Sequence, residues 1–520
     1  MDKAVKKKKL GLKQRYTTMT RDLSWDTTYQ DMDKVFPYDK YEGIKIHDWD
    51  KWEDPFRLTM DAYWKYQGEK DKKLYAVIDA FAQNNGQLGI SDARYVNALK
   101  LFIQGVSPLE YYAHRGFAHA GRHFTGAGVR VAAQMQSIDE LRHYQTQAHT
   151  ISHYNRHFNG MHDNIKWFDR MWYLAVPKSF FEDAYSGGPF EFLTAVSFSF
   201  EYVLTNLLFV PFMSGAAHNG DLATVTFGFS AQSDESRHMT LGIECIKFML
   251  EQDPDNVPIV QRWMDKWFWR GYRLLTLVAM MQDYMLPKRV MSWKEAWEMY
   301  AESNGGALFK DLARYGIRPP KGWEDACEGK DHISHQAWGT FYQYSHAAAF
   351  HTWVPTADEM DWLNEKYPES FDRHYRGRLE HWDDLQQKGE RWFNQHLPML
   401  CQTCQIPMVF TEPGDPTQIS FCETEYDGDK YHFCSGHCKE IFEHEPRKYV
   451  QAWLPVHQIY QGSCYPEDIN PESPGDSPVR EVLRYYGVVG GQDNGDFDAS
   501  QDRQNFDAWL GKKRAQEQEG

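Results

Sequence analysis

The pentapeptide Asp139-Glu140-Leu141-Arg142-His143 recurs as Asp234-Glu235-Ser236-Arg237-His238, and both copies lie in segments with apolar residues at helical spacing. Positions i and i+3 of a helix sit about 60° apart around its axis, so Glu and His at that spacing can bind one metal ion together. A lone acidic-x-x-His carries little weight, because 22 His and 73 acidic residues in 520 positions give about three such matches by chance. Asp429 and His432 form one of them. The full Asp-Glu-x-Arg-His form is expected in roughly one such chain in a hundred, and here it occurs twice. A shared metal-binding task explains both copies better than two unrelated salt-bridged helices.

Two metals in a helical bundle also need one Glu from each of two further helices, the set used by ferritin-like carboxylate proteins. Glu110 precedes Glu140 by 30 residues and Glu201 precedes Glu235 by 34, so the chain reads as two similar helix pairs. Carboxylate with imidazole suits iron or manganese better than zinc. Both added Glu residues also have plainer readings. Ser107-Pro108-Leu109-Glu110 fits a capping box with Pro at the first helical position. Glu201 sits in the apolar segment FSFEYVLTNLLFV, where an unpaired carboxylate is costly and a cation partner is expected. Asp139 and Asp234 can accept a hydrogen bond from a metal-bound imidazole, with Arg142 and Arg237 paired to them. The alternative for these four is surface ion pairing.

A second cluster is Cys401-x2-Cys404 followed by Cys434-x3-Cys438, and thiolates from two such loops can close a tetrahedral structural zinc site. Unrelated reduced cysteines, or a redox disulfide between Cys401 and Cys404, are the alternatives. Cys422, His432 and His437 lie nearby without paired spacing. Cys245, Cys327 and Cys464 read as small buried hydrophobes. Eight cysteines in 520 residues are too few for a disulfide scaffold, which points to the reducing cytoplasm.

The elements that must position these groups are helices. Gly126 to Tyr154, Pro189 to Phe209 and Leu222 to Leu250 carry the periodicity, with Ser186-Gly-Gly-Pro189 opening one and Asp253-Pro254 closing another. The expected organisation is an N-terminal arm over 1–55, a ferritin-like helical bundle over 56–395, a small zinc module over 396–455 and a partner-dependent tail over 456–520. The fold class is mainly α. The run Lys6 to Lys9 lacks a following signal-type apolar region and reads as a solvated arm or subunit contact. A net charge of −16 argues against nucleic acid as a ligand. No stretch approaches the ~18 to 20 apolar residues that span a bilayer; the best, Val203 to Met213, contains Asn206 and Pro211. Aromatics at 15% provide bulk to line a closed apolar cavity. There is no Gly-rich dinucleotide fingerprint and no ferredoxin cysteine run, so flavin, nicotinamide and iron–sulfur chemistry must come from other proteins.

The array E…DELRH…E…DESRH, with Thr205 one turn after Glu201, resembles the large subunit of bacterial multicomponent monooxygenases, most of all the phenol hydroxylase branch. The similarity runs from about residue 20 to 460 and includes SPLEYYAHRGFAHAGRHFTGAGVRVAAQMQSIDELRHYQTQ around the first half-site. Toluene and methane monooxygenases share the ligands, but the cysteine module favours the phenol branch. Its context YHFCSGHCKEIFEHEPRKYV resembles YHS-type zinc modules. The resemblance implies two iron ions per chain, held by Glu110, Glu140, His143, Glu201, Glu235 and His238, and one structural zinc. It implies that the reduced di-iron centre activates O2, placing one oxygen atom in an aromatic C–H bond and the other in water, phenol becoming catechol. It further implies electrons from NADH through a separate flavin and iron–sulfur reductase, a small coupling protein, and two other hydroxylase subunits in a doubled heterotrimer. Carried onto this chain, Thr205, Asn206 and Gln232 border the oxygen and proton-delivery side. Val106, Leu109, Ala113, Phe180, Phe200 and Phe209 match the pocket positions, which by spacing alone are core packing. The plainer role for Thr205 is a hydroxyl bonded to its i−4 carbonyl.

The sequence speaks against a ribonucleotide reductase small subunit and against an iron-storage chain. A ribonucleotide reductase small subunit places its radical Tyr four residues after the first ligand His, where this chain has Gln147, with Tyr144 adjacent. Its first ligand is commonly Asp, not Glu as at position 110. Ferritin-like storage chains are much shorter. Toluene or benzene oxidation stays open beside phenol, since pocket shape decides it.

Overall fold

The computed structural model describes residues 9–451 except 22, 24–27, 36–41, 91, 159–160, 162–171, 288, 345–353, 389–399, 407–410 and 413–414. The tail expected over 456–520, Cys464, Lys6 to Lys8 and the boundary expected near 396 lie outside the described residues.

After α1 (Leu12–Thr20), the bundle is built from α2 (Met60–Gln83), α3 (Ala93–His123), α4 (Ala127–Tyr154), α5 (Trp172–Tyr185), α6 (Pro189–Leu193), α7 (Asn206–His218), α8 (Leu222–Gln252) and α9 (Asn256–Met280). Asp92 caps α3 by accepting the Arg94 amide at 2.9 Å, and Asp221 caps α8 through Thr224 at 3.1 Å. Pro189 stands at the first turn of α6, where its missing N–H costs nothing. The helix around Glu110 therefore begins at Ala93: Pro108 lies inside α3 and the capping-box reading of Glu110 does not hold. The reason lies upstream, where Asp92 provides a cap and an apolar face from Tyr95 to Ile103 is buried.

The expected helix over Pro189 to Phe209 is also broken up. Past Leu193 the chain widens into a π-helical stretch, Thr194–Tyr202, and turns at Thr205 before α7 begins. Such wide turns concentrate at functional sites, and this one presents Glu201. Against it lies Gly242 of α8, where a Cβ would stand 2.6 Å from the Ser197 carbonyl carbon and oxygen. Only glycine permits that approach of two helix backbones.

α3 packs along α4, and α8 packs against the π stretch, α2, α4 and α7. The N-terminal segment lies over the bundle: Trp49 stacks on Phe190 at 5.7 Å, and Tyr16 Oη accepts the Asp54 amide at 3.0 Å. α9 is lined with buried Trp263, Trp267, Phe268 and Trp269 and joins the bundle to the cysteine region in one apolar core. There β1 (Thr411–Glu412) pairs with β2 (Asp415–Ile419), and β3 (Cys422–Tyr426) pairs antiparallel with β4 (Asp429–Phe433). Asp427 and Gly428 both have positive φ, as a two-residue hairpin turn requires. α10 (Gly436–His444) follows, capped by Ser435, which accepts the Cys438 amide at 3.2 Å. Among the described residues no single helix is long and apolar enough to cross a membrane. The bent pair α6 through α7 passes such a test by length and composition, but its apolar side chains lie in the core.

Candidate metal centre

Four elements converge on one buried point. α3 supplies Glu110, α4 supplies Glu140 and His143, the π stretch supplies Glu201, and α8 supplies Glu235 and His238. Ligand atoms of Glu110, Glu140 and His143 lie within 4.8 Å of one another, as do those of Glu140, Glu201 and His238. Glu140 faces both imidazoles, at 3.5 Å from His143 Nδ1 and 3.1 Å from His238 Nδ1. Glu235 does the same, at 3.7 and 3.5 Å. The two inner carboxylates thus lie between the half-sites, while Glu110 and Glu201 flank them.

The residues fit a pair of divalent ions. Both His143 Nδ1 and His238 Nδ1 are buried among carboxylate oxygens at 3.1 to 3.7 Å, yet none of these contacts has the geometry of a hydrogen bond; a metal ion between each ring nitrogen and the carboxylates would satisfy both kinds of donor atom. Four carboxylates would balance two divalent cations, and mixed oxygen and imidazole donors suit iron. With protons as the only cations, burial pushes the Glu110 carboxyl up to about 8 despite the nearby His143. Burial and the Glu235 charge raise Glu201 as well. Burial works against charge on His143 and His238 too, yet Glu110 holds the first and Glu140 the second well above the usual imidazole range.

The outward nitrogens are held crosswise. His143 Nε2 lies 3.2 Å from Asp234 Oδ2, and His238 Nε2 lies 3.3 Å from Asp139 Oδ2. Each Asp therefore orients the imidazole of the other repeat, binding the two half-sites together. Asp139 and Asp234 are buried, so the surface ion-pair alternative fails for them. Arg142 bonds Asp139 at 2.9 Å and Asp234 at 3.3 Å, and Arg237 pairs with Asp139.

Sequence reasoning missed a third contributor. On α2, Tyr63 Oη donates to Asp139 at 2.7 Å, Gln67 Nε2 donates to Asp139 and Asp234 at 2.8 Å each, and Lys70 meets Asp234 at 2.5 Å. Their i, i+4, i+7 spacing is a helix face, and its polar character was the available signal. Two glutamines were missed as well. Gln136 Nε2 donates to both Glu201 oxygens at 3.1 Å while its own oxygen accepts from Ser197 at 3.2 Å. Gln147 donates to Glu110 at 3.2 Å.

Thr205 Oγ1 donates to the Phe200 carbonyl at 3.2 Å, five residues back rather than four, because the π turn precedes it. Gln232 Nε2 donates to Asn206 Oδ1 at 3.0 Å, linking α8 to α7 one turn before Glu235. Leu109, Ala113, Phe180, Phe200 and Phe209 are buried and Val106 is half-buried in the same apolar core. Phe180 packs on Phe200 at 5.5 Å and on Trp267 at 5.4 Å, whereas Phe209 packs on Phe102 at 6.4 Å.

Cys401, Cys404, Cys434 and Cys438 converge in the second cluster, all buried. The Sγ separations of 3.5 Å for Cys404–Cys434 and 3.7 Å for Cys434–Cys438 are near the ~3.8 Å edge of a tetrahedron with metal–sulfur bonds of about 2.3 Å. A tight loop shapes the first pair: Cys401 carbonyl accepts the Gln405 amide at 2.9 Å, and Gln405 takes a φ of 64°. α9 braces the cluster, with Arg270 donating to Thr403 O at 2.7 Å and Trp269 to Ser435 at 3.1 Å. Burial opposes charge on Arg273, yet the neighbouring Cys434, Cys438 and Cys404 raise its basicity. Cys245 is buried as expected, but Cys327 is only half-buried. His437 is engaged elsewhere, with Asp325 at 2.6 Å.

Residues 25–253 match the methane/phenol/alkene hydroxylase family, and residues 410–453 match the YHS domain. All six ligand candidates of the first cluster lie inside the former match. The chain is 64% identical over 507 residues to the oxygenase component DmpN of phenol 2-monooxygenase from Pseudomonas sp. strain CF600, covering 98% of this chain and 96% of that protein. It is 26% identical over 482 residues to the alkene monooxygenase oxygenase alpha subunit of Xanthobacter autotrophicus, covering 87% and 91%. The crystal structure of phenol hydroxylase from Pseudomonas sp. OX1 superposes with a TM-score of 0.86 at 64% identity, covering 96% of this chain and 100% of that one.

Proposed function

The chain belongs to the methane/phenol/alkene hydroxylase family, and from that premise we propose that it is the oxygenase subunit of a multicomponent di-iron phenol monooxygenase. One observation carries the reading: two buried His Nδ1 atoms without hydrogen bonds face four carboxylates at the centre of the bundle. Glu110, Glu140 and His143 would hold one iron and Glu201, Glu235 and His238 the other, with Glu140 and Glu235 between them. When bound and reduced, iron supplies the electrons and the coordination positions for activating O2.

The rest of the work belongs to side chains of this chain. Asp234 and Asp139 accept from the outward imidazole nitrogens, fixing which nitrogen faces the metal. Gln136 and Gln147 hold Glu201 and Glu110, so the flanking carboxylates keep one orientation. Thr205 Oγ1 and the Gln232–Asn206 amide pair stand at the break between the π stretch and α7, where a hydroxyl proton can be held or passed on. Val106, Leu109, Ala113, Phe180, Phe200 and Phe209 keep water from an aromatic ring and present no readily oxidised group. One zinc at the four thiolates would fasten the cysteine module to α9.

Phenol is the favoured substrate because the relative at 64% identity acts on it; toluene and benzene are the alternatives. Electrons would come from NADH through a separate reductase, with a coupling protein and two further hydroxylase subunits completing the enzyme. Reduced cysteines suit the cytoplasm. The ribonucleotide reductase reading finds no tyrosine at the radical position, where Gln147 is engaged with Glu110.

The test is metal analysis together with NADH-driven conversion of phenol to catechol by the reconstituted components. About two iron per chain are expected, with turnover only when the partners are present. Glu140→Ala and His238→Ala should each lose iron and activity while keeping helical content. Full iron occupancy in either variant would remove that residue from the site.

A further inference from the structure

A second His and carboxylate cluster lies on the same helix as His143, farther along. His149 and His153 stand four residues apart on α4, the spacing that places two imidazoles on one face. Asp79, from α2, faces both. Its Oδ1 is 2.7 Å from His149 Nε2 and 3.1 Å from His153 Nε2, and the two nitrogens are 3.3 Å apart. With metal–ligand bonds of about 2.1 Å, those edges correspond to angles of roughly 80°, 95° and 105° at a common ion, which tetrahedral and octahedral sites accommodate.

We propose that Asp79, His149 and His153 form a separate binding site for a divalent transition ion, open to water on its outer side. Two imidazoles and one carboxylate select Zn2+, Co2+, Ni2+ or Cu2+ over the all-oxygen cations Mg2+ and Ca2+. The three ligand atoms form a separate group from those of the di-iron site, and the separation of six residues between His143 and His149 is about 9 Å along the helix. The cluster is accessible, with His149 side chain 32% exposed and Asp79 41% exposed. Its geometry is supported from beside: the Tyr75 ring packs edge-on against His149 at 4.9 Å, and Tyr75 Oη lies 3.4 Å from Thr146 Oγ1.

The position gives such an ion a consequence. α2 carries Tyr63, Gln67 and Lys70, which hold Asp139 and Asp234, while α4 carries Glu140 and His143. An ion bound at Asp79 and the two histidines ties α2 to α4 and stabilises the pair that supports the iron ligands. This differs from the di-iron assignment, so either can fail without the other.

Cobalt titration of the hydroxylase complex already loaded with iron and zinc tests the site, followed by Co2+ ligand-field absorption and by anomalous X-ray scattering at the cobalt edge. One further equivalent per chain is expected, with an anomalous peak between Asp79 Oδ1 and the two Nε2 atoms and a rise in melting temperature that a chelator reverses. Asp79→Asn and His149→Ala should each weaken cobalt binding at least tenfold, leaving iron and zinc contents and circular dichroism unchanged. No peak at the cluster in the unmodified protein, or undiminished affinity in both variants, overturns the proposal.

Discussion

Replacing Gln67 with Leu tests whether α2 belongs to the metal centre. The side chain is buried, and its Nε2 donates to Asp139 Oδ1 and Asp234 Oδ1 at 2.8 Å each, so both protons of one amide join the two repeats. A hydrogen bond to a charged group contributes about 1.5 to 3 kcal/mol, which sets a ceiling of ~3 to 6 kcal/mol for losing both. Arg142, Lys70 and Tyr63 remain on the same carboxylates, so neither is left bare and the loss should fall near the lower bound. With the carboxylates less firmly held, His143 and His238 lose orientation, and loss of such outer partners typically costs 10- to 100-fold in metal affinity. At about 1.4 kcal/mol per tenfold, that is ~1.4 to 2.8 kcal/mol at the iron. The assay is iron retention against a ferrous chelator, paired with thermal unfolding of the metal-free and loaded forms. Gln67→Leu should lose iron faster and melt lower in both forms, and Gln67→Glu should be worse because it adds a third carboxylate. A Gln67→Leu protein that retains iron and melts like the parent would refute the reasoning.

Gly242→Ala would drive a Cβ into the Ser197 carbonyl; a loss of about 1 to 3 kcal/mol is expected, with an altered iron absorption spectrum because Glu201 moves with the π stretch. An unchanged spectrum and melting temperature would show that the close approach does not matter. Cys401→Ser should release zinc and weaken folding or subunit assembly while iron absorption stays as it was; iron loss with zinc retained would contradict a structural role for the thiols. The metal-free protein should lose stability as pH rises from about 4.5 to about 8. Glu110 has a folded-state pKa raised by burial, so its contribution is complete below its ordinary value and disappears as the pH passes its folded one. His143, also raised, acts in the same direction. Iron replaces these protons, so the loaded protein should show a shallower slope by calorimetry; parallel slopes would count against protons standing in for metal.

How much of the site could be read directly follows from which interactions are local. Glu140 with His143, and Glu235 with His238, are one helical turn apart, so the spacing is itself the geometry. The cysteine pairs are local in the same sense. The placement of Glu110 and Glu201 depends on contacts that are not local. Whether Ser107 to Glu110 starts a helix depends on the stronger cap at Asp92 and on buried residues well upstream. Glu201 stands on a π turn whose backbone lies against Gly242 of another helix, and the Thr205 hydroxyl bonds five residues back rather than four.

The sequence by itself determined the chemistry: the donor types, their repetition and the helices that carry them, because each depends on residues within a few positions of one another. Tertiary structure alone decided the crossing of the two repeats, with Asp139 on His238 and Asp234 on His143 across gaps of 99 and 91 residues. It also decided that Tyr63, Gln67 and Lys70 of α2 are partners of those carboxylates, and that α9 braces the four thiols. Contacts between distant segments have no period in the chain; they arise only when the apolar faces pack and the buried charges must find partners.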